Sequence, residues 1–153
     1  MIREIKNGGM MSENKLKALQ SSKSNEWETP QDLFDELNDE FHFTLDPCAT
    51  KENAKCKLFY DKEYDGLGYS WHGQTVFMNP PYGNQINRWV KKGFEEGSKS
   101  DTLVVGLIPA RTDTRYWHNF IQDIAEVRFI KGRIKFSGAK YNAPFPSAIV
   151  IWR

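Results

Sequence analysis

Thr75-Val76-Phe77-Met78-Asn79-Pro80-Pro81-Tyr82 decides how this chain is read. The first four residues form the apolar, β-branched run of a buried strand. The last four cannot extend it. Two successive prolines remove two backbone N–H donors and set φ twice, so a rigid elbow follows the strand directly. The elbow presents a carboxamide, unpaired carbonyls and an aromatic ring. That set suits a flat, polar, aromatic substrate bearing an amino group, such as a nucleobase. A ring amine is a poor nucleophile because its lone pair is delocalised into the ring. Fixed acceptors on both of its N–H groups favour a pyramidal, reactive nitrogen, and the Asn79 side-chain oxygen and the Pro80 carbonyl are such acceptors. Tyr82 is expected to stack on the base, the usual way an extruded base is held. Asn79, Pro80, Pro81 and Tyr82 are therefore the candidate catalytic residues, acting through positioning and electrostatics.

The pattern on either side of the elbow predicts an α/β fold. Thr29-Pro30 reads as a helix start, Thr as N-cap and Pro at the first helical position. Leu33, Phe34 and Leu37 share one face of a helix over 30–40. Strands are predicted over 41–45, ending at Asp46-Pro47, over 57–60 and over 73–78. A helix over 86–97 follows, then the clearest strand, 102–108, halted by Pro109. A helix over 113–124 and strands over 126–130 and 147–152 complete the chain. Alternating strands and helices indicate a largely parallel sheet. No helix separates the last two strands, so a hairpin-like antiparallel pair joined by a long loop, 131–146, ends it. In such sheets ligands bind at the carboxyl ends of the strands, which brings Asp46, Asn79 and Pro109 to one edge.

The chain's 153 residues suit one domain. Residues 1–24 are polar, with Gly8-Gly9 and Ser21-Ser22-Lys23-Ser24, and read as a flexible leader; 25–153 read as a single folded domain. No stretch is long and apolar enough to suggest a membrane span. The N-terminus has no apolar signal core, so the expected place is the cytoplasm. Cys48 and Cys56 have no CxxC spacing, and the three histidines, His42, His72 and His118, form no cluster, so no metal site is expected. His42 is expected in a strand, in a structural role. The formal net charge of +1 hides an asymmetry. Residues 26–85 carry four basic and twelve acidic side chains, whereas 86–153 carry twelve basic and six acidic. A polyanion would be drawn to the last third and repelled by the middle.

Six blocks, in matching order over 25–153, resemble phage-type DNA N6-adenine methyltransferases, the Dam-like family. Asn79-Pro80-Pro81-Tyr82 matches the [DNS]-P-P-[YFW] signature of amino-methyltransferases. Trp27-Glu28-Thr29-Pro30 resembles W-x-T-P, and Leu45-Asp46-Pro47-Cys48-Ala49 resembles D-P-x-A. Asp65-Gly66-Leu67 followed by Trp71 resembles D-G-L…W. Leu107-Ile108-Pro109-Ala110-Arg111-Thr112-Asp113-Thr114 resembles a later block, as does Gly132-Arg133-Ile134-Lys135-Phe136 with Ala143-Pro144-Phe145-Pro146-Ser147.

The resemblance implies a Rossmann-like class I methyltransferase fold, S-adenosyl-L-methionine as methyl donor, and adenine in DNA as acceptor. It implies a cofactor site built from Trp27, Thr29, Pro30, Asp46, Pro47, Cys48, Asp65, Leu67 and Asn79. The chemistry of the residues agrees. Asp46 at a strand end can pair with the α-amino group of the cofactor. A helix start at Thr29 favours its carboxylate, and Asp65 can accept from ribose hydroxyls or the adenine amine. One departure stands out: no Gly-x-Gly turn follows Asp46, so the helix after the first strand is expected to be short or absent. On the DNA side, Arg111, Arg115, Arg133, Lys135 and Lys140 are candidate phosphate contacts, and Phe145 is a candidate second face of a base sandwich with Tyr82. Cytosine N4, an adenine of RNA and a protein glutamine amide would also suit the tetrad, and a catalytically inactive nucleic-acid-binding protein of the same fold is the reading from another class. The oligomeric state is open between monomer and homodimer.

Overall fold

A computed structural model describes residues 27–153; the leader expected over 1–24 lies outside the described residues. Helix α1, Gln31–Phe41, buries Phe34 and Leu37. Its N-cap is Pro30, with no side-chain cap, so Thr29 does not cap the helix as its sequence position suggested. The helix also reaches further than expected. Phe41 is its last residue, and His42, at φ 58° in the left-handed region, donates its N–H to the Asn38 carbonyl at 2.9 Å. The Asn38 side chain then accepts from the Phe43 N–H at 2.8 Å. This local closure replaces most of the strand expected over 41–45, and it removes His42 from any strand. Strand β1 is only Leu45–Asp46.

Strands β2 (Leu58–Phe59), β3 (Thr75–Met78), β4 (Leu103–Pro109), β5 (Glu126–Phe129) and β6 (Ser147–Trp152) complete one six-stranded sheet of order β2-β1-β3-β4-β6-β5. The β2–β1, β1–β3 and β3–β4 pairings are parallel, whereas β6 runs antiparallel to both β4 and β5. This is the mostly parallel sheet with a closing antiparallel pair that the pattern predicted, and it agrees with the Rossmann-like fold that the resemblance implied. Turns alone link Asp46 to Leu58, so the first crossover has no helix. The strand order reverses between β1 and β3, where open α/β sheets bind ligands.

Alternation along the strands divides the core between two faces. Phe77 faces α1, its ring 5.2 Å from Phe34 and 5.3 Å from Phe43. Met78 and Trp152 face helix α2, Ile86–Gly97, where Gly93 lets the helix settle on the indole and Gly97 on the Trp152 backbone and Cβ. A Cβ at Gly97 would lie 2.5 Å from the Trp152 Cβ. The Trp152 indole N–H donates to the Phe120 carbonyl at 2.7 Å, at the end of helix α3, Arg115–Phe120. This helix is half the length expected. The Ile121 and Gln122 N–H groups both bond the Trp117 carbonyl, and Asp123 turns left-handed at φ 60°. Ile121 is buried, while Ile124, inside the span expected to be helical, is half exposed.

Candidate active site

The sheet edge brings Asp46, the last residue of β1, Asn79, the first after β3, and Pro109, the last of β4, to the same end. A cavity of about 480 Å³ opens between the first two. Its walls come from Trp27-Glu28-Thr29, from 46–50, from Asp65-Gly66-Leu67 and from Asn79-Pro80-Pro81. This volume falls in the range of small-molecule sites.

Asp46 is buried and accepts backbone N–H bonds from Cys48 at 3.4 Å and Lys55 at 3.0 Å. Burial outweighs those bonds and pushes its carboxyl up to about 6. A buried carboxylate with so few partners fits a cationic ligand group. Beside it, burial and then the Asp46 charge push the Cys48 thiol well above its usual range. Cys48 and Cys56 are both free thiols, and no group of three or more metal-ligating side chains is found among the described residues.

Asp65 is exposed, and its carboxylate accepts from the Leu67 N–H at 3.0 Å, capping the 3₁₀ turn Gly66–Gly68. Two distant groups hold this turn in place. The Trp71 indole donates to the Gly66 carbonyl at 2.9 Å. The Trp71 backbone N–H donates at 2.9 Å to buried Glu96, which also pairs with Lys92 and Lys99. Gly66 is a site residue that sequence reasoning missed. Its α-carbon presses on Pro47 so closely that a Cβ would lie 2.2 Å from the Pro47 carbonyl oxygen. Asp-Gly signals a turn locally, but nothing local says that the glycine must touch a chain segment nineteen positions earlier.

Both N–H donors of the Asn79 carboxamide are engaged. Its Nδ2 donates to the Trp27 carbonyl and to the Thr29 hydroxyl, the latter at 2.9 Å. The first partner settles the amide's orientation, because a carbonyl can only accept. The Asn79 oxygen therefore faces the other way and accepts from the Tyr82 hydroxyl at 2.9 Å. That hydroxyl is also 3.0 Å from the Leu107 carbonyl. Thr29, displaced from its expected capping role, instead orients the amide. The Pro80 carbonyl has no hydrogen bond among the described residues.

On the far side of Tyr82 lies a second cavity, about 410 Å³, which includes Trp27, Pro109, Arg111, Tyr116 and Phe145 in its lining. Asn79 lines the first cavity and Tyr82 the second, so the tetrad stands as the partition between them. The base sandwich expected from Tyr82 and Phe145 is not open here. Both rings are buried and meet edge to face, 5.6 Å apart at 75°, leaving no slot between them. Phe145 and Phe136 also pack on Trp27 at 5.3 Å, and the Ser137 N–H clips loop 131–146 to the Glu28 carbonyl. The loop thus seals the core as well as carrying charge. Arg111, Arg115, Arg133, Lys135 and Lys140 are all exposed and make no ion pair among the described residues; Arg111 lies 5.9 Å over the Phe145 ring.

The family model described as DNA N-6-adenine-methyltransferase (Dam) matches residues 17–153. The chain belongs to this family. The DNA N-6-adenine-methyltransferase of Haemophilus phage HP1 is 30% identical over 113 residues, 72% of this chain and 65% of that protein. The chain thus aligns with slightly less than two thirds of this Dam relative. A second relative, "Putative methyltransferase YfdM" of Escherichia coli K12, is 34% identical over 64 residues, 37% of this chain and 70% of that protein. A solved structure titled "Structure of a putative methyltransferase from Thermoplasma acidophilum" covers 81% of this chain and 54% of its own at 11% identity, with a TM-score of 0.31. No helix among the described residues of this Dam-family chain is long and apolar enough to cross a membrane.

Proposed function

We propose that the protein transfers a methyl group from S-adenosyl-L-methionine to the N6 amino group of adenine in DNA. The observation that carries this reading is the Asn79 carboxamide. Its nitrogen is held by the Trp27 carbonyl and the Thr29 hydroxyl, and its oxygen by the hydroxyl of Tyr82, a residue that lines the second cavity. One side then suits a methyl donor and the other a flat amine.

The residues of the first cavity fit the donor. Buried Asp46, short of partners, would hold the ammonium group, Trp27, Thr29 and Pro30 the methionine end, and Asp65 with Leu67 the nucleoside end, over Pro47 and Cys48. Bound there, S-adenosyl-L-methionine supplies an electrophilic methyl group on a sulfonium. The remaining work falls to this chain. Asn79 Oδ1 and the free Pro80 carbonyl accept the two amine N–H bonds and draw the nitrogen toward a pyramidal, nucleophilic shape. Asn79 Oδ1 has a second lone pair to offer beside the Tyr82 hydroxyl, and the Leu107 carbonyl stands as an alternative acceptor for that hydroxyl. Pro81 keeps the elbow rigid, so little reorganisation accompanies the reaction. Arg111, Arg115, Arg133, Lys135 and Lys140 would take backbone phosphates around the second cavity, with Phe145 against the base. The expected setting is the cytoplasm of a bacterial host, on phage or prophage DNA.

Incubation with labelled cofactor and unmethylated DNA, followed by digestion to nucleosides, tests this directly. Label in N6-methyladenine supports the reading and label in N4-methylcytosine moves the acceptor. No label together with no measurable cofactor binding overturns it.

A further inference from the structure

The tetrad has an unused neighbour. Tyr116, near the start of α3, lines the second cavity with Tyr82, Arg111, Thr114 and Phe145. It is 7% exposed, and its buried hydroxyl has no hydrogen-bond partner among the described residues. Native proteins rarely leave such a group unpaired. The Thr114 hydroxyl is close enough to favour the ionised phenol, but it lies outside hydrogen-bond geometry to Tyr116 and spends its own proton on the Arg111 carbonyl at 2.7 Å. Burial raises the Tyr116 phenol above its ordinary range, so the group stays protonated and keeps its donor. An O–H donor without a partner among the described residues therefore lines the same cavity as Tyr82, whose own hydroxyl is bonded to Asn79 Oδ1.

We propose that Tyr116 is a specificity-determining residue whose hydroxyl donates to an unprotonated ring nitrogen of the extruded base while Asn79 and Pro80 hold its amine. The inference rests on the adenine reading above and adds a third contact to it. An acceptor-only pair such as Asn79 Oδ1 and the Pro80 carbonyl selects an amino group and rejects a base with a carbonyl there. A donor close by rewards a base carrying ring acceptors. The Tyr82 and Phe145 rings, closed edge to face here, must part to admit the base, and their parting gives it access to Tyr116.

The test compares the full chain and its Tyr116→Phe variant on unmethylated DNA copied with adenine or with 1-deaza-, 3-deaza- or 7-deazaadenine. Removing an unpartnered hydroxyl leaves the fold intact, so the melting temperature and cofactor affinity should match the wild type. The kcat/KM on adenine DNA should fall about tenfold, the worth of one hydrogen bond. One deaza substitution should cost the wild type a similar factor beyond its cost to Tyr116→Phe, because the variant has no such bond to lose. If the variant equals the wild type on adenine, or every deaza base costs both proteins alike, the role of Tyr116 is overturned while the adenine reading stands. A wild type that labels no adenine overturns both.

Discussion

Gly66→Ala should loosen the first cavity, the proposed cofactor site, far more than its one added methyl group suggests. The new carbon would sit 2.2 Å from the Pro47 carbonyl oxygen, where ordinary contact begins near 3.4 Å. The two segments must separate by about 1.2 Å. Neither yields easily. Pro47 follows Asp46 at the end of β1, and the Gly66 turn is tied to Trp71 and through it to Glu96. Overpacking of this kind typically costs about 1–3 kcal/mol. Expressed in binding, with 1.4 kcal/mol per decade, that is a loss of about 5- to 140-fold in affinity. Titration calorimetry with S-adenosyl-L-methionine measures it, and thermal melting shows how much of the strain reaches the fold. Gly68→Ala is the control: it lies in the same turn, its φ is not left-handed, and its Cβ would meet nothing within 4 Å. That variant should bind within about twofold of the wild type. If Gly66→Ala binds as tightly as Gly68→Ala, the Gly66–Pro47 contact does not shape the cofactor site.

Asp46 should make cofactor binding pH-dependent. A cationic ligand needs its carboxylate ionised, and in the free protein the carboxyl sits at about 6. Affinity should therefore fall about tenfold per pH unit below that value and level off by about pH 7. Because burial raises the value from 3.8, the contribution of Asp46 to unliganded stability is full below about pH 4 and is lost as pH rises through about 6. A flat binding profile between pH 5 and 7 would exclude Asp46 as the ammonium partner. Asn79→Ala should lower kcat by about 100-fold or more and weaken cofactor binding only a few-fold, since Asn79 also tethers Trp27 and Thr29; a binding loss as large as the rate loss would make Asn79 mainly a cofactor residue. Lys135→Glu should weaken DNA binding across sequences and flatten its salt dependence, as gel-shift titrations at several salt concentrations would show; an unchanged salt slope would remove loop 131–146 from the DNA surface.

Much of the fold was legible because its signals are local. The apolar runs at Thr75–Met78, Leu103–Pro109 and Ser147–Trp152 became the centre of the sheet. The absence of a Gly-x-Gly turn after Asp46 matched a crossover without a helix. Errors fell where one signal competed with another. Phe41-His42-Phe43 alternates like a strand, yet the amphipathic helix extends to Phe41 and closes through Asn38. Thr29-Pro30 has the sequence form of a cap, yet the Thr29 hydroxyl serves Asn79, fifty positions away. Phe145 was readable as an aromatic near the site, but its edge-on packing against Tyr82 was not.

By itself the sequence determined which chemistry is available. Asn-Pro-Pro-Tyr after a strand, an Asp at another strand end and an acidic middle against a basic last third are covalent facts, independent of packing. Tertiary structure decided how that chemistry is aimed. The orientation of the Asn79 amide, the contact that makes Gly66 necessary and the solitude of the Tyr116 hydroxyl all depend on partners far away along the chain. Hydrogen-bond direction and close packing arise only between groups that folding has brought together, and no local pattern around Asn79, Gly66 or Tyr116 encodes them.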